Sequence, residues 1–192
     1  MSNFTFERSV ELFSEYTHKN GLKVLVGQQN LTPICGVMIT YLVGSRHEAI
    51  GYTGATHLLE HLMFKGSENF NKELGNGVDH LEDYGAILNA TTWNDRTNYF
   101  VVLPKEYLSK AIEIEADRMR KAFIREEDRQ SEMTVVRNEF DCDENDAFSA
   151  LIKNMWATAY QAHPYHHATI GWKSDIEGVP IERLRKFYDT FY

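Results

Sequence analysis

Cysteine is scarce in this 192-residue chain: only Cys35 and Cys142 occur, far apart and in no metal-type spacing. That excludes a disulfide framework, and the two read as buried or free thiols of a reducing compartment. No apolar run is long enough to span a bilayer. Met1-Ser2-Asn3-Phe4 lacks the basic start and apolar core of a secretory signal, and Glu7 and Glu11 argue against a mitochondrial transit peptide. The expected location is therefore cytoplasmic, with no membrane partner. Basic charge is also short, with 20 Lys and Arg against 28 Asp and Glu, a formal net charge of −8. With no Lys/Arg stripe, nucleic acid is not an expected partner.

What remains is an ordinary globular composition, 43% hydrophobic and 25% charged, and a length sufficient for one domain, residues 1–192, with a real core. Residues 21–26 alternate like a strand, and Gly36 to Val43 forms a second, apolar one. Asn71 to Tyr84 reads as a short helix weakened by Gly75 and Gly77. Ala86 to Thr92 and Thr97 to Leu103 are strands joined by a turn at Trp93-Asn94-Asp95-Arg96. Pro104 starts a helix to about Phe123, with Leu108, Ile112, Ala116, Met119 and Phe123 on one face. Further helices are expected over 125–140, 147–160 and after Pro180, with a loop from His163 to Gly178. Strands followed by helices, rather than strict alternation, predict an α+β fold, a mostly antiparallel sheet with helices packed on it.

The most informative stretch is His57-Leu58-Leu59-Glu60-His61, an H-x-x-E-H pattern. At about 100° per residue, His57 and His61 stand one turn apart on one helix face, and Glu60 falls beside them. Two imidazoles can then grip one Zn²⁺ while the carboxylate reaches an activated water. Thr53 and Gly54 open this helix, and Lys65-Gly66 closes it. The plainer alternative is a pair of histidines that only pack or face solvent.

A catalytic zinc site needs a third protein ligand. The helix over 125–140 carries an apolar stripe of Met133, Val136 and Phe140, with Glu132 and Glu139 two turns apart on nearly one face. Most glutamates in so charged a helix are simply solvated, so spacing alone does not single out Glu139.

Taken together, His57–His61 with Met63-Phe64-Lys65-Gly66, then Gly85-Ala86-x-x-Asn89-Ala90-x-Thr92, then Glu132-x-x-Val135-Val136-x-x-Glu139, resemble the pitrilysin or insulinase-like family of zinc metallopeptidases. His163-Pro164-Tyr165 and the run Ile170-Gly171-Trp172-x-Ser174-Asp175-Ile176 fit its mitochondrial-processing-peptidase-like bacterial branch. The resemblance covers roughly residues 20–192. It implies that His57, His61 and Glu139 hold Zn²⁺, that Glu60 is the general base, and that Glu132 supports the catalytic site without binding metal. It implies an edge strand at Asn89 and Ala90 that pairs with substrate backbone, and an ordinary loop around His163, His166 and His167 in place of a second metal. Trp93, Trp156 and Trp172 are expected to pack, and Asp117 and Arg118 to form a solvated or supporting ion pair.

By the same resemblance the chain looks like an N-terminal piece, ending before a sheet-completing strand and a second domain. Its substrate would be a peptide or unfolded protein. Its partner would be the missing half or a homologous subunit, and alone it would self-associate and cleave weakly. Two functions stay open: an active zinc endopeptidase module, or a zinc-bound but inactive fragment or partner subunit that binds peptides or assembles with another chain.

Overall fold

A computed structural model of the chain describes residues 3–192. Two compact units are present, the first ending at Ile34 and the second beginning at Cys35. In the first, β1 (Phe4–Val10), β2 (Phe13–His18) and β3 (Lys23–Gly27) form an antiparallel sheet in the order β1-β2-β3. The sequence reading predicts only β3. The hairpin of β1 and β2 turns through Glu11-Leu12, which lacks the Gly or Asn that usually marks such a turn. Glu11 itself adopts a left-handed backbone, with φ of 52°, a conformation uncommon outside glycine.

The second unit holds β4 (Ile34–Tyr41) from Cys35 onward, β5 (Ile87–Thr92) and β6 (Thr97–Pro104), in the order β4-β6-β5. β5 and β6 pair antiparallel across the turn at 93–96, where Trp93 N–H donates to Arg96 O at 2.8 Å. Strand β6 is central and buries Thr97, Tyr99, Val101 and Leu103 in strict alternation. Strand β5 is left at the sheet edge.

Among the described residues six α-helices form: α1 (Ala55–Leu62), α2 (Leu108–Lys121), α3 (Glu126–Asn145), α4 (Ala147–Ala159), α5 (Lys173–Gly178) and α6 (Ile181–Phe191), all but α5 in expected places. Two expectations are corrected. Residues 71–77 form turns, with Asn71 Oδ1 accepting from Leu74 N–H at 3.0 Å and Gly75 left-handed, so only a 3-10 segment, Val78–Tyr84, is helical. The stretch 163–178, read as loop, ends in the short α5. The acidic run 141–146 does not stop α3 until Asn145; Asp146 then caps α4 by accepting Ser149 N–H at 2.7 Å.

The buried face of α2 also differs from the expected one. Ala111, Ile114, Glu115 and Arg118 face inward, while Leu108 and Ile112 are exposed. The reason is a buried ion pair: Arg118 donates to Glu115 at 2.6 and 2.9 Å, and its guanidinium lies 4.3 Å from the Tyr99 ring centroid. That stacking and the two hydrogen bonds to Glu115 hold the charge inside, although Arg118 Nη1 is buried without a partner. Arg118 thus pairs with Glu115, while Asp117 accepts from Asn69 N–H and Nδ2.

The main core gathers Leu58, Leu59, Leu62 and Met63 around α1 with Tyr99, Val136 of α3 and Leu184 of α6. A second cluster holds Leu81, Val101, Leu103 and Ile114. Among the described residues, no helix is long and apolar enough to cross a membrane. The α2 assignment makes a direct prediction for denaturant unfolding. Ile114→Ala should cost about 2–5 kcal/mol, and Ile112→Ala, two residues away, less than about 1 kcal/mol. Equal losses would contradict the observed face.

Candidate metal centre

Helix α1 is divided lengthwise. Leu58, Leu59 and Leu62 are fully buried, so the opposite arc, carrying His57, Glu60 and His61, is turned away from the core. Helix α1 packs on α3, β5 and α6. That packing brings Glu139 of α3, 78 positions beyond His61 in the chain, to the two histidines. Its Oε2 lies 3.6 Å from His57 Nε2 and 3.4 Å from His61 Nε2. One ligand atom from each of His57, His61 and Glu139 lies within 4.8 Å of the others. Tetrahedral zinc with bonds of about 2.0–2.2 Å places its donors about 3.4 Å apart. The two measured separations to Glu139 fit that spacing, and two imidazoles with one carboxylate form a donor set suited to zinc.

The protonation states fit as well. His57 is pushed down from 6.5 to about 4, first by burial and then by the neighbouring His61. Its ring is therefore neutral at pH 7, as a metal ligand must be. Its Nδ1 is buried without a hydrogen-bond partner. His61 donates Nδ1–H to Glu132 Oε2 at 3.0 Å, and its other ring nitrogen, Nε2, faces Glu139. Burial alone would raise Glu132, but the Lys65 ammonium bonded to it, together with His61, holds it below the usual carboxylate range. Lys65, Glu132 and His61 thus form a chain of charge-assisted contacts that orients one imidazole. Glu132 touches His61 and Lys65, not the Glu139 side of the site.

Glu60 is buried, and that burial raises its pKa against the opposing effect of Thr92, whose hydroxyl donates to Glu60 Oε2. The sequence reading gives Thr92 no role and Lys65 only a helix-closing one. Each stood inside a motif, but neither contact is visible without the packing of β5 and α3 against α1.

His57, Glu60 and Glu139 line a cleft of about 710 Å³. One wall is β5 and its turn, from Ala90 to Asn94; the other comes from Phe148, Ile152 and Trp156 of α4. Trp93 and Trp156, expected only to pack, therefore border the cleft. Asn89 folds back on its own strand, where Oδ1 accepts Ala90 N–H at 2.8 Å. Ala90 is buried at the cleft side.

Residues 23–172 match the family described as Insulinase (Peptidase family M16). The chain belongs to this family. It is 34% identical over 178 residues to the zinc protease PqqE of Helicobacter pylori, covering 92% of this chain and 40% of that protein. It is 31% identical over 179 residues to the probable mitochondrial-processing peptidase subunit beta of Schizosaccharomyces pombe, covering 92% of this chain and 38% of that one. A crystal structure of a protease from Helicobacter pylori superposes with a TM-score of 0.86 at 32% identity, over 94% of this chain and 43% of the other. The chain thus spans about two fifths of the length of these relatives. Its mixed fold of helices and antiparallel strands is that of the family's N-terminal domain.

The depressed His57 sets an acid limit on the metal-free chain. The folded state leaves His57 neutral down to about pH 4, whereas the unfolded chain protonates it near 6.5. Between those values the unfolded state binds more protons, so stability falls as pH falls, by at most on the order of 3 kcal/mol. His57→Gln should flatten this slope in pH-dependent urea unfolding between pH 7 and 4. An unchanged slope would contradict the buried, neutral state of His57.

Proposed function

We propose that this chain is the metal-binding catalytic portion of a zinc-dependent endopeptidase. The observation that carries the reading is the convergence of His57, His61 and Glu139 beside a buried Glu60, at a cleft walled by a sheet edge. Membership in a peptidase family, and a relative named as a zinc protease, support the general class.

In this reading His57 Nε2, His61 Nε2 and the Glu139 carboxylate would hold Zn²⁺, which when bound would supply Lewis acidity toward the scissile carbonyl and toward an attacking water. Glu60 removes the proton from that water at a carboxylate oxygen and later returns it to the leaving amine. Its raised pKa brings base and acid forms closer to neutral pH, which suits a group that must do both. Thr92 fixes the carboxylate by its hydroxyl, and Glu132 with Lys65 fixes the His61 ring. The exposed edge of β5 offers backbone N–H and C=O groups to an extended peptide, by strand addition at Asn89 and Ala90. For the substrate to use the Ala90 N–H, the Asn89 carboxamide must first swing off it. Peptides or unfolded segments suit such an edge because their backbone is free to pair.

A second reading, a zinc-bound partner subunit without turnover of its own, is supported by the relative named as a peptidase subunit beta. Peptide cleavage separates the two. Glu60→Gln should reduce cleavage by at least about 100-fold and leave about one zinc per chain in place. Glu139→Ala should lower zinc retention more than Glu132→Ala. Undiminished cleavage in the Glu60 variant, or equal metal loss in the other two, would refute the assigned roles.

A further inference from the structure

The helix that carries His57, Glu60 and His61 begins without a cap of its own. Its N-cap residue is Gly54, in a left-handed conformation with φ of 86° and with no side chain to accept a hydrogen bond. A side chain is excluded there on two grounds. The backbone conformation is one that L residues rarely adopt, and a Cβ would lie 2.4 Å from Ile170 O. The same close approach is made from the other side, since a Cβ on Gly171 would meet Thr53 C and O at 2.4 Å. The first turn of α1 is therefore pressed backbone to backbone against the segment at 170–171, and its leading N–H groups need an acceptor from elsewhere.

Glu48 supplies it. Its side chain is fully buried. Oε2 accepts Gly54 N–H and Oε1 accepts Thr56 N–H, each at 2.8 Å. Thr56 directly precedes His57. A second carboxylate, Asp175 of α5, accepts both N–H and hydroxyl of Thr53, at 3.2 and 2.8 Å, and the Thr53 hydroxyl accepts Trp172 N–H at 2.9 Å. Opposite Glu48 stands the buried His167, with Nδ1 at 3.7 Å; that nitrogen donates to Ala168 O at 3.1 Å. A buried carboxylate is costly, and this one is pushed up to about 7 by its burial, against the backbone donors that lower it. A serine at an ordinary N-cap would satisfy the helix at far less cost. Here the N-cap position cannot hold one. A carboxylate also spans two N–H groups two residues apart, which a hydroxyl does not.

We infer that Glu48 is a positioning residue for the metal-binding helix: its two hydrogen bonds fix where α1 starts, and thereby where His57, Glu60 and His61 stand relative to Glu139. The inference rests on the metal site proposed above. Helix α1 has only two turns, so a shift at its first turn is passed to His57 and, one turn on, to His61. Partners that orient metal ligands from outside the coordination sphere typically change metal affinity by about 10–100-fold when removed.

The test uses the 192-residue chain with Co²⁺ as the probe, read by its visible absorption and by chelator competition. Wild type should bind one Co²⁺ with a ligand-field band. Glu48→Gln keeps one acceptor but sets an amide N–H₂ against a backbone N–H. It should shift that band and weaken Co²⁺ by at least about 10-fold. Ile114→Val in the second core cluster serves as a variant that lowers the thermal midpoint without touching α1, and it should leave band and affinity at wild-type values. Should Glu48→Gln fail to fold, Glu48→Asp carries the same comparison, because it keeps the charge but is too short to span both N–H groups. An unchanged band and affinity in the folded Glu48 variant overturns the inference, as does an equal change in Ile114→Val. Failure of the wild-type chain to bind Co²⁺ overturns the metal site and the inference with it.

Discussion

The structure depends on one constraint: α1 must bury one side completely while its other side does chemistry. Leu58, Leu59 and Leu62 have no exposed surface, and burying each contributes about 1.5–3 kcal/mol. At about 100° per residue these leucines fill the arc from roughly 100° to 140° and 200°, counted from His57, while His57, Glu60 and His61 share the complementary arc. The core therefore fixes the rotation of the helix, and the rotation fixes the site. That rotation alone turns both histidines away from the core. What remains is their position along the axis and the states of their protons.

Those are set by polar groups brought from distant segments. Val136 and Met133 dock α3 in the same core as α1, and the helix spacing then delivers Glu132 to one side of His61 and Glu139 to the other. Two glutamates seven positions apart on one helix acquire different surroundings. Glu132 is buried between Lys65 and His61, while Glu139 remains open to the cleft, 45% exposed at its side chain. The first is held ionised by a cation and serves orientation; the second is free to meet a metal. Glu60, bonded by the Thr92 hydroxyl, is instead raised by burial. Three carboxylates within one small site are thus separated in role by what each one touches.

Much of this was legible in the sequence because it follows from period. The H-x-x-E-H spacing, the stripe of Met133, Val136 and Phe140, and the alternation in β6 are local patterns, and the structure forms helices and a strand where they lie. What local pattern does not carry is the partner across space. Glu139 is one acidic residue among many in α3 until packing places it at 3.4 Å from His61; the family resemblance, not the spacing, pointed to it. The same limit explains the rotated face of α2. There an apolar stripe through Leu108 and Ile112 was the natural reading, and a buried Glu115–Arg118 pair stacked on Tyr99 outweighed it. The hairpin of β1 and β2 was missed for a different reason, since its turn at Glu11-Leu12 carries no residue that announces a reversal. The fold class was readable from the order of elements, and the site's second layer of contacts was not.

The central claim is that His57, His61 and Glu139 together hold one zinc ion. X-ray absorption at the zinc edge on the purified chain, combined with anomalous diffraction to locate the metal, tests it most directly. The account predicts one zinc between α1 and α3, with two imidazole nitrogens and carboxylate oxygen at about 2.0–2.2 Å. A sulfur neighbour at about 2.3 Å, which would bring in Cys35 or Cys142, or an anomalous peak at His163, His166 and His167 instead, would contradict it.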